Sequence, residues 1–218
     1  MTAPAENTAM GPADSLEVRW IVPGRLPEAM RAWFARFPAG TETREDIYLL
    51  RPRLRGLSVK LRDGSSLDVK SFRGSPGILG LPHRGRLESW RKWSFPYDLP
   101  GEDDDVLPGW VTVGKTRRSS WFPLASQDPP QAARPAGQTG CQAELTEAHA
   151  RGEPWWSVGF EAAGSSGLLR DALQHAADLV FAQPLPTGAG LSLDNCRSYA
   201  QWLSQPPGPG AGDTARSQ

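Results

Sequence analysis

The chain has 218 residues, with 24 basic and 24 acidic side chains and a formal net charge of zero. That length supports one sizeable core or at most two small ones, and the balanced charge excludes a whole-molecule field directed at nucleic acid or an anionic membrane, so any charge-based function must be local. Two widely separated cysteines, a start without a basic region followed by an apolar run, and no stretch near the roughly 18 apolar residues of a membrane helix lead us to expect a cytoplasmic protein with no disulfide framework.

Residues 1–14 are small, polar and proline-containing and are predicted to be a disordered tail. Ser15 to Val22 reads as a strand with Leu16, Val18, Trp20 and Val22 on one side and Ser15, Glu17, Arg19 and Ile21 on the other. Leu26 to Phe37 follows as a helix whose apolar stripe is Leu26, Met30, Trp33, Phe34 and Phe37. Thr43 to Leu50 is a second strand, with Arg44, Asp46 and Tyr48 in register.

Leu57 to Phe72 is the most informative stretch: two alternating segments joined at Asp63-Gly64. Directly opposed residues of an antiparallel pair share a face. Lys60 and Arg62 can therefore face Asp68 and Lys70 only across an odd-length loop, which Asp63-Gly64-Ser65 supplies. Ser75 to Arg84 reads as a Gly/Pro loop, Arg86 to Phe95 as a strand, and the acidic run within 96–108 as a solvated loop. Trp110 to Phe122 is a strand with Val111, Val113, Lys115 and Arg117 in register.

The Pro/Ala/Gln/Gly-rich segment 125–140 reads as a surface insertion. Cys141 to Leu145 is a short strand carrying Glu144, and Trp155 to Ala162 a stronger one carrying Ser157, Gly159 and Glu161 on one side. Ser166 to Ala182 is a helix with Leu169, Leu173, Ala176, Ala177 and Val180 on its apolar face. A last helix, Asp194 to Leu203, is predicted to be capped by Asp194 and to bury Tyr199 and Trp202, before a disordered tail over 205–218. The predicted class is α+β: an eight-stranded, mainly antiparallel β-barrel with flanking helices, in a single domain over residues 15–204.

The ordered set of charged strands resembles the CYTH domain, the fold of the triphosphate tunnel metalloenzymes. The residues that carry the likeness are Glu17 and Arg19, the Arg44-x-Asp46-x-Tyr48 strand, the basic hairpin of Lys60, Arg62 and Lys70, the Arg86/Glu88 strand, Lys115-x-Arg117, and the late acids Glu144 and Glu161. Such a resemblance implies a β-tunnel whose basic side chains hold a small anionic triphosphate or polyphosphate ligand. Arg19, Arg44, Lys60, Arg62, Lys70, Lys115 and Arg117 would bind that ligand. It also implies Mg²⁺ or Mn²⁺ held by Glu17, Glu144 and Glu161, with Glu17 and Glu161 in catalytic roles. The family's first strand is typically Glu-x-Glu-x-Lys and its last often Glu-x-Glu; here they are Glu17-x-Arg19-x-Ile21 and Gly159-x-Glu161, so hard-cation ligands are missing.

Two pairs of readings remain open at this level. The charged face is either the solvated side of a sheet or the lining of a lumen. The acids either hold a metal for hydrolysis or serve as salt-bridge partners in a protein that only binds or senses an anion.

Overall fold

The computed structural model describes residues 10–51, 56–80, 82–97, 108–124 and 128–205. The tails 1–9 and 206–218, the acidic run 102–105 and residues 125–127 of the insertion lie outside the described residues. Eight strands are formed: β1 (Met10–Pro23), β2 (Gly40–Leu49), β3 (Leu57–Arg62), β4 (Ser66–Leu79), β5 (Gly85–Pro96), β6 (Trp110–Pro123), β7 (Gly140–Ala150) and β8 (Glu153–Ala163). Every pairing is antiparallel, and the sheet closes on itself in the order β1-β5-β4-β3-β2-β6-β7-β8. Three α-helices accompany it, α1 (Glu28–Phe34), α2 (Leu169–Phe181) and α3 (Tyr199–Leu203).

Closure decides which face is which. Alternation along a strand sends successive side chains to opposite faces, and the apolar faces of β1, β7 and β8 turn outward against α1 and α2. Leu16, Val18, Trp20, Leu145, Val158 and Phe160 form one buried cluster with Met30, Phe34, Leu173, Ala176 and Val180. Trp20 and Phe160 both pack edge-on or tilted against Phe181 at the end of α2. Since both helices cover the outside, the charged faces can only point into the barrel. No helix among the described residues is long and apolar enough to cross a membrane.

The β3–β4 hairpin has the predicted three-residue loop. Arg62 pairs with Ser66, Lys60 with Asp68 and Ser58 with Lys70. Asp63 and Gly64 take the left-handed φ values of 46° and 64° that such a tight connection requires.

Several predicted boundaries are corrected. β1 begins at Met10, before the expected Ser15, because its first residues continue the ladder on β5 as far as Ser94. The expected loop from Ser75 is the second half of β4, which reaches Leu79 while pairing with β5. Gly74 and Gly77, at φ 140° and 131°, absorb register shifts there, so the strand bends without ending. β7 runs to Ala150, well past the predicted Leu145: β6 and β8 both pair with it along that length, and pairing on two edges overrides weak local propensity. α1 is shorter than the predicted Leu26–Phe37.

The last predicted helix is broken. A 3₁₀ turn at Leu193–Asn195 is followed by extended Cys196, and α3 starts anew with Ser198 as its cap. Ser198 and Gln201 form a reciprocal capping box, so Asp194 is not the cap. α3 closes one end of the barrel. Trp202 and Leu203 pack on the inward-facing Ile21, Tyr48, Val113, Ala148 and Ala150, making the interior apolar at that end.

Candidate functional site: the charged barrel interior

Beyond the apolar stopper the interior is a cavity of about 230 Å³. Its lining carries nine basic side chains, from Arg19, Arg44, Lys60, Arg62, Lys70, Lys92, Lys115, Arg117 and Arg134. The lining acids are Glu17, Asp68, Glu144 and Glu161, and Asp46 lies directly behind Lys60 and Lys115. In a chain of zero net charge, nine bases against these five acids, with Glu42 also paired to Arg44 and Arg117, concentrate positive charge in one place.

The charges fall into four groups. In the first, fully buried Asp46 is met by Lys115 at 2.7 Å, Lys60 at 3.0 Å and Arg44 at 3.2 Å. Burial raises the Asp46 pKa, but Lys60, Lys115 and Arg44 outweigh it and hold the carboxyl well below its ordinary range. Lys115 also donates to the Tyr48 hydroxyl at 2.6 Å. Burial, only partly offset by Asp46, pulls the Lys115 pKa down to about 8. Lys60 is lowered too, by burial and then by the Lys115 charge.

In the second group Asp68 accepts from Arg62 and from the Ser94 hydroxyl, each at 2.6 Å, with Lys92 3.4 Å away. In the third, Glu144 is clamped between Arg19 and Arg117, the latter at 3.1 Å. Burial disfavours the Glu144 carboxylate, yet the two guanidinium groups hold its pKa well below the usual value. In the fourth, Lys70 reaches across from β4 to Glu17 on β1 at 2.5 Å and Glu161 on β8 at 3.3 Å. The Lys70 charge pulls Glu161 down to about 2 against the cost of burial.

All ten residues expected to form the site line this one cavity: Glu17, Arg19, Arg44, Lys60, Arg62, Lys70, Lys115, Arg117, Glu144 and Glu161. The solvated-sheet reading is thereby excluded. Glu17, Glu144 and Glu161 share that cavity but are not arranged as the expected metal set. Among the described residues, no group of three His, Cys, Asp or Glu side chains is arranged to hold a metal ion. Glu144 spends its oxygens on two guanidinium groups, and Glu17 and Glu161 share one ammonium. Glu144 has neither oxygen free, and a divalent cation on the remaining oxygen of Glu17 or Glu161 would lie beside the Lys70 ammonium, so the three acids as placed do not fit Mg²⁺ or Mn²⁺.

Four contributors escaped sequence reasoning. Lys92 sits opposite Lys70 in the β4–β5 register and shares its inward face. Its alternation with Glu88 and Trp90 was the available signal, usable only once that register is known. Arg134 comes from the 125–140 insertion, lying 5.0 Å from the Trp121 ring centre at the cavity wall. Tyr199 enters from α3, its ring stacked on Tyr48 at 5.7 Å and 15° and set 5.0 Å from the Arg19 guanidinium. Asp46 is the anchor of the Lys60–Lys115–Arg44 cluster, a role its place in a strand motif did not reveal.

No protein-family model matches the chain, and no curated protein matches its sequence. Solved structures similar to it include a conserved hypothetical protein from Pyrococcus furiosus, at 16% identity and a TM-score of 0.47, covering 85% of this chain and 98% of the other. A Pyrococcus horikoshii OT3 protein aligns at 14% identity and 0.44, covering 86% and 97%. The S. pombe Pct1 RNA triphosphatase aligns at 10% and 0.33, covering 82% and 79%. The closed eight-stranded barrel with its charged interior is the architecture that the CYTH resemblance implied, and this rests on the strand order and the inward face.

Proposed function

We propose that the barrel interior binds a compact triphosphate- or polyphosphate-type anion. The observation that carries this reading is the excess of bases over acids in a closed lumen. The Arg62 and Arg117 guanidinium groups line the cavity, and each has a buried Nε with no hydrogen-bond partner among the described residues. Guanidinium forks and ammonium point charges are the groups that recognise phosphate oxygens. At about 230 Å³ the cavity is smaller than the roughly 300–1,000 Å³ of sites for drug-sized ligands. The volume therefore favours an inorganic chain of phosphates over a whole nucleotide.

Between binding with hydrolysis and binding alone, the ion pairs of Glu17, Glu144 and Glu161 favour binding alone, since each acid already contacts a cation of the chain, Glu17 and Glu161 sharing Lys70. Calorimetric titration with tripolyphosphate tests the proposal. Saturable binding to the wild type is expected, with affinity strongly reduced in Lys60→Ala. A phosphate-release assay is expected to show no turnover. Heat-free titration would remove the anion-binding reading, and metal-dependent phosphate release would restore the hydrolase.

A further inference from the structure

Two cross-strand rows at the wall between β1 and β8 differ in content but agree in effect. In one, Glu17 pairs directly with Glu161, and Lys70 from β4, one strand beyond β5, sets its ammonium on both. In the other, Arg19 of β1 pairs with Gly159 of β8, which pairs in turn with Glu144 of β7. Arg19 reaches Glu144 by lying across the glycine. A Cβ placed at position 159 would come within 2.8 Å of the Arg19 guanidinium carbon, so any side chain there would displace the arginine. Arg19 and Gly159 are therefore a matched pair: the missing side chain of one makes the space the other fills.

From this geometry we infer that the site dispenses with a divalent metal: Lys70 and Arg19 supply, as fixed side-chain cations, the positive charge that a metal would contribute beside the anion. The inference rests on the proposed anion binding but concerns a separate property, the cation beside that anion. Glu17, Glu161 and Glu144 each contact a cation that belongs to the chain, while Glu88, opposite Glu17 on β5, accepts from Trp90 and Gln201. Arginine stays protonated at any accessible pH, so no mild change of conditions frees Glu144. A metal on Glu17 or Glu161 would have to sit against the Lys70 ammonium, and one on Glu144 would have to displace a guanidinium packed into a glycine-made recess.

The test uses the full chain. Tripolyphosphate affinity, measured by calorimetry, is expected to change by less than about twofold after exhaustive EDTA treatment, a difference of well under 1 kcal/mol. The paramagnetic resonance signal of free Mn²⁺ is expected to be unchanged by the wild type without anion. The double variant Arg19→Glu with Lys70→Met is expected to attenuate that signal and to gain thermal stability on Mn²⁺ addition. Stoichiometric Mn²⁺ binding by the wild type, loss of tripolyphosphate binding on EDTA treatment, or a folded double variant indifferent to Mn²⁺ would each overturn the inference. The wild-type measurements need no variant to fold. Absence of tripolyphosphate binding under every condition would instead refute the proposed function, while the Mn²⁺ measurements would still decide the question of the metal.

Discussion

Lys115 Nζ lies 3.8 Å from the centre of the Tyr199 ring, which α3 delivers into the end of the barrel 84 residues further along the chain. The aromatic face holds the ammonium from one side while Asp46 and the Tyr48 hydroxyl hold it from the other. One of the interior's positive charges is thus set by a segment outside the eight strands.

A pH dependence follows from this placement. With its pKa lowered to about 8, Lys115 is charged below that pH and neutral above it. Tripolyphosphate affinity is expected to fall as the pH rises through about 8, and Lys115→Met to lose that step; titrations on either side of that pH check both. The effect on stability has the opposite sign. Between about 8 and the ordinary lysine value of 10.5 the unfolded chain holds the proton that the folded one has released, so this group adds stability as the pH rises.

Asp46→Asn is expected to cost about 3–5 kcal/mol, because it leaves Lys60, Lys115 and Arg44 facing each other without their buried counter-charge. Urea denaturation measures the loss. The depressed pKa of Asp46 makes its contribution fully present above the ordinary value of 3.8 and progressively lost as the pH falls below it. In the variant, tripolyphosphate should restore more stability than it adds to the wild type.

Lys92→Ala removes an inward charge that pairs with Asp68 at 3.4 Å while two further bases remain on that carboxylate. A charge-assisted contact to a ligand contributes about 1.5–3 kcal/mol, so tripolyphosphate affinity should drop by roughly one to two orders of magnitude. Calorimetry reads this directly. An unchanged affinity would move the ligand away from the β4–β5 wall.

Trp202→Ala tests the stopper. Trp202 is buried and packs edge-on against Trp155 at 5.2 Å and Tyr199 at 5.6 Å. Truncation is expected to cost about 3–5 kcal/mol in chemical denaturation. Loosening of Tyr199 should also move the Lys115-linked pH step, which a structural role confined to the helix would not do.

Gly140→Ala tests the close approach of β6 and β7. A Cβ there would sit 2.7 Å from the Trp121 ring and also against the Phe122 carbonyl, so backbone must move. A loss of about 1–3 kcal/mol is expected in the same assay.

The barrel was legible because alternation is a local property. Glu17 and Arg19, Lys60 and Arg62, or Lys115 and Arg117 stand two apart in their strands, and Trp20, Val158 and Phe160 mark the opposite side. Parity required an odd-length hairpin loop, and Asp63-Gly64-Ser65 supplied the three-residue one that forms. The second half of β4 was hidden by Pro76 and Gly77, whose turn-forming character holds only until a neighbouring strand supplies a ladder. The far half of β7 was hidden in the same way, since nothing in Thr146 to Ala150 announces a strand to which two partners are already committed.

Composition and period by themselves determined the class and the charged face, because the side to which a residue points depends only on its neighbours in the strand; the choice of ten residues on that face as a site came from the family resemblance. Closure alone decided that this face is an interior. It also decided which acid meets which base, because those pairings depend on distances across the lumen that no strand encodes. Arg19 over Gly159, Lys70 between Glu17 and Glu161, and Tyr199 against Lys115 each join strands or helices far apart in the chain. The acids expected to hold a metal are present and inward, and the folded chain sets its own cations upon them.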